Sequence, residues 1–177
     1  MITALQEILD SRFLHNSNEL IERQQDFSMN VDICSSNKEN YIVYKFDANT
    51  NLFPYFTSKK HLKKICDYVV FFEKGNDLYV AICELKKSNN GNNNSICNHQ
   101  LEATKLFVNF IINSLKRLNN TLITDENVKY YKLRFCDNTI KRLAKKRTAK
   151  DIRDNMYANR NTVYEYKKDS IRFLDFV

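Results

Sequence analysis

The sequence predicts an α/β fold: a mixed central sheet of about four strands flanked by helices, in the order helix, three strands, helix, strand (αβββαβ). Three observations predict it. Residues 65–87, ICDYVVFFEKGNDLYVAICELKK, are two apolar runs around a short polar break, which is the pattern of a hairpin. A long helical pattern, Ile96 to about Lys116, separates this hairpin from another apolar run, Val128–Cys136. A connection of that length serves as a crossover, so the strands it joins are expected to be parallel. Finally, 2 Gly and 1 Pro in 177 residues leave no linker, so residues 1–177 form a single domain.

Taken in order, residues 1–26 form a helical N-terminal segment. Ile2, Leu5, Ile8 and Leu9 recur at helical spacing, and Leu20 and Ile21 follow in a second stretch that Ser17 or Asn18 caps, with Glu19 and Glu22 in its first turns. Residues 27–40 are polar and irregular. The core, 41–136, opens with the strand Tyr41–Phe46, which stops at Asp47-Ala48-Asn49-Thr50-Asn51. After the hairpin, Asn89–Ser95 reads as a polar low-complexity loop. The crossover helix follows, with Leu101, Phe107, Val108, Phe110, Ile111 and Leu115, and then the fourth strand. Residues 139–156 form a basic amphipathic C-terminal helix. The tail, Thr162–Tyr164 and then Ile171–Leu174, adds a strand.

The chain carries 28 basic and 21 acidic residues, a net charge of +7, which favours an anionic partner, nucleic acid before membrane. Its 5 cysteines (34, 66, 83, 97 and 136) are widely spaced and each follows an apolar residue, so buried reduced thiols are expected, not a disulfide framework. The N-terminus lacks a signal-peptide pattern, and no apolar run approaches the ~18 residues of a membrane span. A cytoplasmic protein with no membrane partner is expected.

Charge sits where buried strands should not want it: Asp67 in the first run, Glu84 and Lys86 in the second. A two-residue loop at Gly75-Asn76 explains the placement, because Gly tolerates the positive φ of a type II′ turn. Lys74 then faces Asp77, and counting back from the turn brings Asp67 opposite Glu84 on one face. Lys86, two residues on, points the same way. A four-residue loop keeps this pairing, whereas a three-residue loop would separate the carboxylates. Facing carboxylates repel, and a divalent cation between them removes the conflict; an all-oxygen site suits Mg²⁺ or Mn²⁺ better than zinc. The competing reading is a solvated Glu–Lys pair on an exposed strand. Val69, Phe71, Leu78, Val80 and Ile82 share the face, which marks it as core.

Asp67 in Cys66-Asp67-Tyr68, followed by Glu84-Leu85-Lys86, resembles the PD-(D/E)xK nuclease superfamily, whose fold is restriction-endonuclease-like. The resemblance covers roughly residues 41–136 and includes the strand order and crossover helix. Cys66 stands where the family name has Pro. The resemblance implies that Asp67 and Glu84 bind Mg²⁺ (Mn²⁺ substituting), that the Leu85 carbonyl adds a ligand, and that Lys86 helps activate the attacking water. Gln100 matches a Gln that many members carry on the following helix. It shares a face with Ala103, Thr104, Phe107 and Ile111, where a long amide needs a partner; the carboxylates could supply it, or water at the helix start. Thr104 stands where RecB-like members have Tyr, so that subfamily is not supported. Many members also carry a Glu on the first helix. Glu7, Glu19 and Glu22 are candidates, Glu22 being the favoured additional acid, against an ordinary exposed role for each.

The implied function is metal-dependent hydrolysis of nucleic-acid phosphodiesters, DNA before RNA, by an endo- or exonuclease that leaves 5′-phosphates. Such a small nuclease suits an effector of prokaryotic anti-phage defence or restriction, working with a protein partner or as a homo-oligomer. Two basic patches are candidates for holding the nucleic-acid backbone: Lys59, Lys60, Lys63 and Lys64 ahead of Asp67, and Lys141, Arg142, Lys145, Lys146 and Arg147 on the C-terminal helix. A solvated basic face is the plainer account of either alone. The rival function is a catalytically inactive nuclease-fold subunit that binds nucleic acid or serves a larger complex. Cys97-Asn98-His99 lacks a matching pair for zinc, and neither phosphate-binding Gly-rich motif is present.

Overall fold

A computed structural model describes residues 1–34, 40–46, 64–87, 91–119, 123–136, 164–166 and 170–172. The protein is mixed α/β and mostly sheet. The chain begins with α1 (Ile2–Ile8), whose Ile2 and Leu5 are buried, and a 3₁₀ turn, Ser11–Phe13. Glu73 on a later strand accepts from the Ile2 N–H at 3.1 Å, which satisfies a donor at the helix start.

The second predicted N-terminal helix is instead a strand. β1 (Glu19–Gln24) pairs antiparallel with β2 (Phe27–Cys34), with Gln24 opposite Phe27 across a tight turn. Residues 27–34 therefore are not irregular. Phe27, Met29, Val31 and Ile33 are buried while the residues between them are exposed, the strict period-2 pattern of a strand with one wet face. β3 (Asn40–Lys45), β4 (Tyr68–Lys74) and β5 (Asp77–Lys86) pair antiparallel in succession. The β4–β5 turn is the two-residue Gly75-Asn76, and Gly75 has φ 61°, a conformation that glycine adopts without the cost a Cβ would add.

α2 (Gly91–Asn119) crosses from β5 to β6 (Val128–Cys136), and these two strands are parallel. The helix begins at Gly91, inside the stretch that reads as a loop, against the low helix propensity of Gly and Asn. β7 (Tyr164–Tyr166) adds parallel to β6, and β8 (Ser170–Arg172) adds parallel to β2. The central sheet thus has five strands, β3-β4-β5-β6-β7, and a second sheet has the order β1-β2-β8.

Three layers result. One face of the central sheet, with Val69, Phe71, Val80 and Ile82, packs on α1 and on Leu101, Val108 and Leu115 of α2. The other face, with Val70, Phe72, Ala81 and Leu133, packs on Leu20, Met29, Val31 and Ile171 of the small sheet. β5 is covered on both sides, which is why it reads as an unbroken apolar run. Each Val, Leu, Ile or Phe so buried contributes about 1.5–3 kcal/mol. The predicted helix 139–156 lies outside the described residues. Among those described, no helix is long and apolar enough to cross a membrane.

Candidate functional site

β5 outruns β4. The last β4–β5 pair is Tyr68 with Cys83, whereas β5 stays paired with β6 as far as Lys86 and Cys136. Beyond Cys83, one edge of β5 has lost its neighbouring strand, and Asp67 takes that place. Its Oδ2 accepts from the Leu85 N–H at 2.8 Å. In return its own N–H donates to Glu84 Oε2 at 3.2 Å. Each carboxylate is thus held by the backbone beside the other, and continuing the register past Tyr68–Cys83 sets Asp67 opposite Glu84, as the turn spacing predicts.

Glu84 has no exposed surface, at 0%, in a face otherwise lined by Val80 and Ile82. The Lys86 ammonium forms an ion pair with Glu84 Oε1, and its side chain keeps 26% exposure, so it opens the cluster towards solvent. Burial pushes the Glu84 carboxyl well above the usual range, and the facing Asp67 pushes it further. Burial also raises Asp67; the Leu85 N–H and Lys86 oppose that rise, Glu22 adds to it and Lys45 subtracts. For Lys86, burial works against the charge, but Glu84 and Asp67 outweigh it and hold the ammonium above its ordinary value.

A buried Glu84 whose ionisation is opposed by burial and by the partly buried Asp67 facing it is suited to a dication. The donors are all oxygen, which fits Mg²⁺ or Mn²⁺. Among the described residues, no group of three or more His, Cys, Asp or Glu side chains gathers into a cage. Asp67 and Glu84 with the Leu85 carbonyl still fit Mg²⁺, which often takes one or two carboxylates and fills its other positions with water and phosphate.

α2 fixes the approach to Asp67. Thr104 Oγ1 accepts from the Cys66 N–H at 2.8 Å and donates to the Gln100 carbonyl at 2.8 Å. Gln100 Nε2 donates to the Ile65 carbonyl at 3.1 Å, and its Oε1 is buried with no hydrogen bond. Gln100 therefore lies against the chain entering the site, and its amide donor serves the backbone, not the carboxylates. The sequence signal for this role of Thr104 is a hydroxyl one helical turn after Gln100 on an apolar face. Glu22 stands on β1, not on a helix, yet its charge reaches Asp67.

Arg134 is a further charged residue on the face of Glu84. It is the β6 partner of Glu84 and is partly buried. The signal was alternation, since Tyr130, Lys132 and Arg134 share one face of β6. Lys64 is exposed, a short step before Asp67. Lys59, Lys60, Lys63, Lys141, Arg142, Lys145, Lys146 and Arg147 lie outside the described residues. Cys66, Cys83, Cys97 and Cys136 are buried, Cys34 is exposed, and none of the five forms a disulfide. Burial, and next Glu84, push the Cys97 thiol to about 12.

Compared with known proteins, the chain matches no family model, no curated protein and no solved structure.

Proposed function

We propose that this protein is a metal-dependent nuclease that hydrolyses phosphodiester bonds in nucleic acid, DNA before RNA. The observation that carries the reading is the partly buried Asp67 held against the buried Glu84, with the Lys86 ammonium on Glu84. The same residues carry the resemblance to the PD-(D/E)xK superfamily.

Asp67, Glu84 and the Leu85 carbonyl would hold Mg²⁺ or Mn²⁺, which supplies Lewis acidity towards a phosphoryl oxygen and a more acidic water. The chain's own residues do the rest. The bond between water oxygen and phosphorus forms as the bond to the leaving sugar oxygen breaks; a proton leaves the water for solvent and the leaving oxygen takes one up. Lys86 acts through its charge. Its ammonium meets the negative charge that builds on the phosphoryl group, and its N–H donors orient the attacking water. Thr104 and Gln100 keep residues 65 and 66 in place, so that Asp67 stays opposite Glu84. The second reading is an inactive binding subunit with the same fold.

One assay separates them. The pure protein is incubated with plasmid, linear duplex, single-stranded DNA and RNA, with Mg²⁺, Mn²⁺ or EDTA, beside Asp67→Ala and Lys86→Ala. Metal-dependent cutting that falls about 10²–10³-fold in Lys86→Ala, and is lost in Asp67→Ala, supports the enzyme. Binding without cutting, unchanged in both variants, supports the subunit.

A further inference from the structure

We propose that Arg134 binds the scissile phosphate beside the Asp67–Glu84 centre, its guanidinium gripping the non-bridging oxygens. The inference rests on the nuclease reading and names a substrate contact for it.

Placement carries the argument. Glu84 and Arg134 are partners in the parallel β5–β6 ladder, as are Lys86 and Cys136. Paired residues of a ladder point to the same face. Asp67, just ahead of β4, therefore forms a row with Glu84 on β5 and Arg134 on β6, with Lys86 one step beyond towards the strand ends. The carboxylates occupy one end of the row, and the two cations flank its other side. The row lies at the carboxyl ends of two parallel strands, where open α/β sheets present their ligand crevices.

The chemistry matches. The Glu84 oxygens are engaged by the Lys86 ammonium and the Asp67 N–H, and Arg134 stands across the ladder from Glu84 on the same face. Arg134 is partly buried, and a guanidinium in a partly dry site binds a phosphate more strongly than one in open water. Its planar fork fits two phosphate oxygens at once, which an ammonium cannot do. Cys97, in the early turns of α2, feels the charges of Glu84, Arg134 and Lys86.

The test measures affinity for a short labelled duplex and its single strand with Ca²⁺, and single-turnover cleavage with Mg²⁺. The variants are Arg134→Gln, Arg134→Lys and Arg134→Ala. The expected result for Arg134→Gln is a loss of about 10- to 100-fold in both readouts, the range for a charge-assisted bond. Arg134→Lys regains part of it, and added guanidinium restores cleavage by Arg134→Ala. Wild-type cleavage left unchanged in Arg134→Gln overturns this inference and leaves the nuclease reading standing. So does a loss that tracks a lowered melting temperature and that neither Lys nor guanidinium repairs. A wild type that cuts none of the substrates with Mg²⁺ or Mn²⁺ overturns the nuclease reading and this inference with it.

Discussion

Burying Glu84 opposite Asp67 makes pH a direct probe of the site. The Glu84 carboxyl rises from 4.5 to about 8, through burial first and then the Asp67 charge. A raised folded pKa means that the folded chain holds the proton more tightly than the unfolded one. The stability this contributes is complete below pH 4.5 and is lost as pH climbs towards about 8. In EDTA, the melting temperature is therefore expected to fall across that interval, and the fall should be smaller in Glu84→Gln, which cannot ionise. Added Mn²⁺ should recover the loss at the alkaline end and do little at the acid end. A wild-type curve parallel to that of Glu84→Gln, measured by thermal scans across pH, would remove the electrostatic basis of the site. Asp67, Glu84 and Lys86 could be located from sequence because a tight turn sets the register of its hairpin residue by residue. Arg134 could not, since no turn fixes which residues pair across a long parallel crossover. Glu22 was picked out as an acid but assigned to the wrong element.

The elements differ in how plainly they show in the chain. β4, β5 and β6 announce themselves by apolar runs and by Gly75. The β1–β2 hairpin did not, because its turn, Gln25-Asp26, contains no glycine. In addition, Leu20 and Ile21 behind Ser17 imitate a capped helix. The alternation of Phe27, Met29, Val31 and Ile33 outweighs that local signal once a second sheet is there to bury it. Gly75→Ala tests the turn. Nothing lies within 4 Å of an added Cβ, so the cost is the positive φ alone, about 1 kcal/mol in urea unfolding. A neutral result would mean that the turn relaxes to another conformation and that it does not impose the register by itself. Thr104 tests how α2 grips the site. Thr104→Val leaves the buried Cys66 N–H without its acceptor, at a cost of about 1–3 kcal/mol, and Thr104→Ser should recover most of it. Equal stability for the Val and Ser variants would show that the hydroxyl is dispensable.

At the scale of the molecule, the two sheets are joined by packing and by a polar tie at Tyr68. The buried Tyr68 hydroxyl donates to the Ile21 carbonyl at 2.8 Å and accepts from the Ile21 N–H at 3.0 Å. Tyr68 adjoins Asp67, so the tie also braces the site against the small sheet. Tyr68→Phe should cost about 1–2 kcal/mol, read by denaturant unfolding; no change would mean that this tie adds nothing to the packing between the layers. β5 and β6 continue where β4 stops, and at that step in the sheet Asp67 faces Glu84 with the Lys86 ammonium against it. Whether they form a metal centre is decided most directly by calorimetric titration of the protein with Mn²⁺ at mildly alkaline pH. Saturable binding by the wild type and by Arg134→Gln, abolished in Asp67→Asn and in Glu84→Gln, is the predicted result. A wild type that takes up no Mn²⁺, or uptake that survives in both carboxylate variants, would contradict it.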